Sequence, residues 1–448
     1  MNTPSAREHA FNTSPHRTMI SLTFPLLLSL IAEPVTGLVD TAFVARLGSE
    51  SLTALGVGTM SLSSVFWIFN FLGIGTQTEV AHSLGKASMS DAARVSSLAL
   101  LLGLGLGILL AVAGYPAAAP AAKLMGATGN VADQAQSYIR LRLLGAPAVL
   151  ATIAAFGALR GLQDMRTPLL VAVGINALNI ILDAVLIYGW GPVPALGING
   201  AAIASSISWW MGAIWALSIV WGRLGLPDRI PTEATTKMLR VGRDLFLRTG
   251  LLTLFLLLGT RTATLIGPEA GAAHQAVRQV WVFANLFLDA FAITGQSLVG
   301  FFIGGGLVTR ARKAAFVVCL WSLVAGCALT IIMWAGRNLA ATALVPPTAV
   351  SLFFPAWFIA ALIQPVSALS FASDGIHWGT GDFRYLRNVV ALATFCGGIA
   401  LAFTDTQRPD ALTAVWFITG GWIFIRALFG MLRIWPGIGK SPLTNVEG

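Results

Sequence analysis

Apolar runs recur along this 448-residue chain between short polar breaks, near residues 19–44, 52–84, 92–114, 138–159, 168–188, 198–221, 245–266, 272–303, 314–334, 352–373, 389–403 and 412–431. A helix of about twenty residues crosses a hydrocarbon core of ~30 Å. The twelve runs therefore predict an all-α integral membrane protein with twelve transmembrane helices. A transmembrane β-barrel would need segments of about ten residues with alternating polarity, and no segment alternates for that long. Composition agrees: 56% of residues are hydrophobic and only 10% charged, where a soluble domain carries about 25% charged residues.

The net charge of +9 would suit a nucleic-acid binder, but its distribution has a plainer cause. With the N-terminus inside, twenty of the 28 Lys and Arg residues fall in inward loops, tails and inner helix ends, and five fall on the outer side. This is the positive-inside pattern. It predicts a multi-pass protein of the bacterial inner membrane with both termini cytoplasmic, embedded in lipid and without a nucleic-acid partner. The first run is no cleaved signal, since Glu33, Pro34 and Asp40 interrupt it and no small-residue cleavage site follows. Cys319, Cys327 and Cys396 lack metal-ligand spacing, and the reading assigns no metal, no cofactor and no catalytic residue.

The chain repeats itself. A shift of 219 positions places Gly48 on Gly267, Glu50 on Glu269, Gln77 on Gln296 and Gly85 on Gly304, with Asn70 on Asp289. The offset is about half the length, so two six-helix lobes of equal orientation are expected, related by an axis along the membrane normal. The reading divides the chain into an N-terminal lobe over 1–222, a cytoplasmic linker over 223–243 and a C-terminal lobe over 244–448.

Polar residues inside the runs are costly and point to function. Glu33, Gly37 and Asp40 share one face of the first helix, as do Asn176, Asn179 and Asp183 on the fifth. Asp40 and Asp183 each lie about six residues, or ~9 Å, below the outer helix end, so two acids at one level can share a site. Arg278, Asn285, Asp289 and Gln296 draw a polar stripe down the eighth helix, with a weaker copy at Asn70 and Gln77 on the second. These, with Asn176, are candidate cavity and substrate residues. Arg140 and Arg142 fall inside the fourth run without an assigned role. Pro34, the loop residues Arg160 and Arg166, and Asp374 at the cytoplasmic end of the tenth run are candidate gating or loop positions.

The stretches PVTGLVDTAFVARLGSESLTALGV, RGLQDMRTP, NALNIILDAVLIYG, GINGAAIAS and DAFAITGQSLVG resemble the multidrug and toxic compound extrusion (MATE) family, specifically its DNA-damage-inducible (DinF) branch. The resemblance covers essentially the whole chain. It implies a V-shaped transporter of six plus six helices, acting as a monomer, that exports small amphipathic, mostly cationic compounds in exchange for H+ or Na+. The family's ion site maps onto Asp40, Asn179, Asp183 and Ser205, with Glu33 nearby; the fourth-helix Asn of some members has no counterpart between Leu143 and Leu159.

Pro34 removes a backbone hydrogen bond six residues before Asp40 and weakens the helix there. Ion binding at Asp40 and Asp183 is therefore expected to change the bend of the first helix. Under the 219-residue shift Asp40 falls on Gly259 and Pro34 on Thr253, so the second lobe carries no copy of this device. Two rival readings fit the chain less well. The stretch GTGD at 379–382 matches an intramembrane aspartyl protease motif but lies in a basic loop with no partner Asp motif in a membrane helix. A lipid-headgroup flippase of the wider superfamily would often have fourteen helices and a strongly cationic cavity.

Overall fold

A computed structural model describes residues 8–227 and 232–444; the side chains of Glu33, of 232–235 and of Lys237 lie outside what it describes. The predicted linker 223–243 is therefore described only in part. Sixteen α-helices account for nearly all described residues: α1 Pro15–Ala45, α2 Ser49–Ile68, α3 Phe71–Gly85, α4 Met89–Leu124, α5 Gly129–Leu143, α6 Ala146–Gly161, α7 Arg166–Tyr188, α8 Ile198–Leu224, α9 Thr232–Ile266, α10 Pro268–Gly304, α11 Val308–Ala335, α12 Arg337–Leu344, α13 Val350–Leu362, α14 Gln364–Thr380, α15 Phe383–Ala402 and α16 Ala411–Ile434. Ten spans are long and apolar enough to cross a bilayer, with α2 and α3 forming one of them. Two further pairs, α5–α6 bent by 50° and α13–α14 bent by 46°, bring the number to twelve.

The bends fall where the repeat predicts equivalence, at residues 144–145 and 363, and in each half the bent span is the fourth. Pro147 follows the first break and Pro365 the second, so each lower segment begins with a residue that cannot donate to the preceding turn. Carbonyls near the first break are answered by α8: Ser206 donates to the Leu141 carbonyl at 3.0 Å and Trp210 to that of Leu144 at 3.0 Å. Such replacement is required in a bilayer, where no water satisfies a freed carbonyl.

The chain forms two compact units, one of residues 24–242 and one of the residues up to 23 together with those from 243 onward. The division passes within α1, between Thr23 and Phe24.

In the unit of residues 24–242, α6 is the central element. Ala148, Ala151, Ala154, Ala155 and Ala158 are buried against Val80, Ala92 and Ala99. Small side chains let helix backbones touch, the main source of helix association in lipid. At Gly157 a Cβ would stand 2.4 Å from the Gly73 carbonyl oxygen of α3, so no other residue fits. In the second unit α10 packs on α14 in the same manner, and a Cβ at Gly375 would lie 2.1 Å from the Ala292 carbonyl oxygen. Gly73 and Ala292 are 219 positions apart, and Gly157 and Gly375 are 218 apart. The repeat thus extends to close backbone contacts between helices.

Candidate functional site

Side chains on α7 register it against α1. Asn176 Nδ2 donates to the Ala32 carbonyl at 2.9 Å, and the Tyr188 hydroxyl donates to the Phe43 carbonyl at 2.7 Å, its ring 5.9 Å from that of Phe43. The two bonds join residues 144 and 145 positions apart, and Asp40 and Asp183 differ by 143. The helices therefore run alongside in parallel, and the two carboxylates meet at one level. Each carboxylate lies within electrostatic reach of the other.

Asp183 is fully buried, and among the described residues neither of its oxygens receives a hydrogen bond; Asp40 Oδ1 is enclosed in the same state. One turn before Asp183, buried Asn179 donates to Ser205 Oγ of α8 at 3.4 Å. Two residues of α5 complete the surroundings. The charge of Arg142 reaches both carboxylates, its Nη1 is buried without a hydrogen-bond partner, and fully buried Tyr138 lies one turn earlier on the same face. Two carboxylates in contact repel unless a cation lies between them. The arrangement can therefore take up a proton or another small cation.

The sequence alone assigns Arg142 no role and does not single out Tyr138. The signal was present as a Tyr and an Arg four residues apart in a membrane run, one face of a helix.

The remaining predicted residues separate. Pro34 lies inside α1, and Glu33's side chain falls outside the described residues. Asn70 stands at the turn between α2 and α3. Gln77 and Gln296 are buried within helix packing, while on α10 Asn285 is buried and Arg278 and Asp289 are half-buried. Arg160 sits over the Phe156 ring at 5.6 Å and Arg166 is exposed. Between them Asp164, which the reading passed over, ties the loop together. It accepts from the Arg166 and Thr167 backbone amides at 3.0 and 2.9 Å and from the Thr167 hydroxyl, and it pairs with Arg223 of α8 at 2.5 Å.

Asp374 differs from its expected place at a helix end. α14 continues to Thr380, and Asp374 lies buried inside it, with Arg248 of α9 and Arg426 of α16 both donating to its Oδ2, the latter at 2.9 Å. Arg248 lies over the Trp378 ring at 5.0 Å and Arg426 over that of Trp422 at 4.6 Å. The helix runs on because an acid with two arginine partners and aromatic faces can be buried.

Two stretches of the sequence, 25–185 and 246–404, match the MatE family, one in each half. The chain belongs to the MatE family. Protein DETOXIFICATION 44, chloroplastic, of Arabidopsis thaliana is 31% identical over 93% of this chain and 81% of that protein. DNA damage-inducible protein F of Escherichia coli is 29% identical over 95% of this chain and 93% of its own length. Among solved structures, one described as MATE in the bent conformation superposes with a TM-score of 0.84 at 21% identity, covering 94% of this chain and 95% of that one. The protein is a multi-pass membrane transporter with the twelve-helix MATE fold, and its relatives are transporters rather than enzymes.

Proposed function

We propose that this MATE protein is a secondary active exporter that exchanges an inward-moving proton or sodium ion for small amphipathic, mostly cationic compounds, by alternating access across the bacterial inner membrane with both termini in the cytoplasm. The observation that carries the reading is the placement of Asp40 and Asp183 at one level, with no hydrogen-bond donor to either oxygen of Asp183 among the described residues. Two buried acids that share a single arginine are costly, and a coupling cation that binds in one state and leaves in another offsets that cost.

Asp40, Asn179, Asp183 and Ser205 hold the ion in this scheme. Pro34 supplies the flexible point in α1, and α1 changes its bend there when the ion enters. The stripe Arg278, Asn285 and Asp289 contacts the exported compound, and the protein works as a monomer.

Reconstituted liposomes test the proposal. With an imposed pH or sodium gradient, a panel of organic cations should be exported only when the gradient is present, and Asp40→Asn should bind the same compounds without gradient-driven export. Full export by Asp40→Asn at equal membrane abundance would remove this carboxylate from the mechanism.

A further inference from the structure

A second polar site lies on the outer part of the unit of residues 24–242, between α4 and α5. Asp133, Gln136, Ser137 and Arg140 follow the i, i+3, i+4, i+7 spacing on one face of α5 and line a cavity of about 320 Å³ together with Tyr115 of α4. That volume is at the lower end of the ~300–1,000 Å³ range of small-molecule clefts. Arg140 is held in place: its guanidinium lies over the Tyr115 ring at 4.8 Å, and its Nε donates to the Tyr115 carbonyl at 3.3 Å. In the amide orientation that satisfies both groups, Gln136 Oε1 accepts from its Nη1 and Nη2 at 2.7 and 3.0 Å. Among the described residues Arg140 forms no ion pair, and neither does Asp133. The surroundings are apolar and exposed, with Leu144 56% and Val112 69% accessible.

Depth selects the occupant. The bent span Gly129–Gly161 has 33 residues, about 45–50 Å along its two segments against a ~30 Å hydrocarbon core. Its first turns therefore stand in the headgroup layer. Asp133 falls in that layer. Arg140 starts ~10 Å deeper and, because helical side chains lean toward the N-terminus, reaches back toward the interface. The negative group is thus nearer water and the positive group nearer the acyl chains. This is the reverse image of a zwitterionic amine headgroup, whose ammonium points to water and whose phosphate lies beneath it.

We propose that the α4–α5 cavity binds an amine-headgroup phospholipid, its phosphate on Arg140 and its ammonium on Asp133, with the acyl chains along the exposed apolar surface beside Leu144. Phosphate takes the remaining guanidinium donors as charge-assisted hydrogen bonds. Asp133 accepts from a primary ammonium, which a trimethylated amine cannot match because it has no N–H.

The test is retention of lipid by the full-length protein, read by native mass spectrometry after exchange into mixed vesicles of phosphatidylethanolamine, phosphatidylcholine and phosphatidylglycerol. Wild type should retain phosphatidylethanolamine about tenfold over the other two, the worth of one charge-assisted hydrogen bond. Asp133→Asn should keep lipid but lose the preference over phosphatidylcholine. Arg140→Gln should lose retention of all three, and Arg140→Lys should restore part of it, which separates loss of a site from loss of fold. Equal retention of the three lipids by wild type would overturn the proposal. So would displacement of the lipid by soluble phosphoethanolamine at matched concentration, which would show a site for free phosphate compounds.

Discussion

Buried Asp183 and half-buried Asp164 are two acids with opposite solutions. Asp183 has no donor and needs a mobile cation, so Asp183→Asn should insert normally, unfold at the same temperature or higher because a buried charge is removed, and lose gradient-driven export. The double variant with Asp40→Asn should be little worse than either single one, since two residues of one ion site are not additive; multiplicative losses in liposome export would separate the two acids. Asp164 has fixed donors and a structural role. Burial acts to raise its pKa, but hydrogen bonds from the Thr167 side chain and backbone and the Arg223 guanidinium outweigh it and hold the carboxyl below the usual value of 3.8. A depressed folded value stabilises the fold above the unfolded pKa, and the contribution fades as pH falls through 3.8 toward the folded value. Asp164→Ala should cost about 2 kcal/mol near neutral pH, as loss of a helix cap and its bonds does. The gap in melting temperature from wild type should narrow on acidification below about pH 4.

At the level of elements, the pairs α3–α6 and α10–α14 make close backbone contacts at Gly157 and Gly375, and neither leaves room for a methyl group. Gly157→Val should therefore force α3 and α6 apart and cost roughly 3 kcal/mol or more. Gly105→Ala on α4, where nothing lies within 4 Å of a new Cβ, should be neutral or gain about 0.4–1 kcal/mol through the unfolded chain. Thermal melts of the purified variants separate the two outcomes, and similar melts would show that glycine is not needed at the contact.

Across the whole molecule the repeat is structural but not chemical. The halves share bent fourth spans, start their second spans after Gly48 and Gly267, and share the Gly157 and Gly375 contacts. Yet Arg248, Asp374 and Arg426 fall on Ser29, Ala155 and Ile207 under the 219-residue shift, and Asp40 falls on Gly259. One unit buries two acids beside one arginine and the other two arginines on one acid. Symmetry builds the frame, and departures from it assign the work. The proposed orientation is testable on a background without native cysteines: single cysteines at Ser49 and Pro192 should react with an impermeant reagent applied outside, and those at Ser90 and Thr309 should not. The reverse pattern would invert the protein in the membrane.

The sequence by itself determined the class, the twelve spans, the repeat and the family, because hydrophobic run length, helical spacing and shared Gly, Glu and Gln positions are local or periodic properties of the chain. It also marked Asp40 and Asp183, since an acid in an apolar run stands out wherever the run packs. Only the tertiary structure decided who stands beside them. That Arg142 and Tyr138 face the acid pair, that Asp374 is buried between Arg248 and Arg426, and that Asp164 closes the loop onto Arg223 all depend on contacts between helices far apart in sequence. The position of the α5 bend and the registration of α7 on α1 set those contacts, and helical periodicity shows which residues share a face but not which neighbour that face meets.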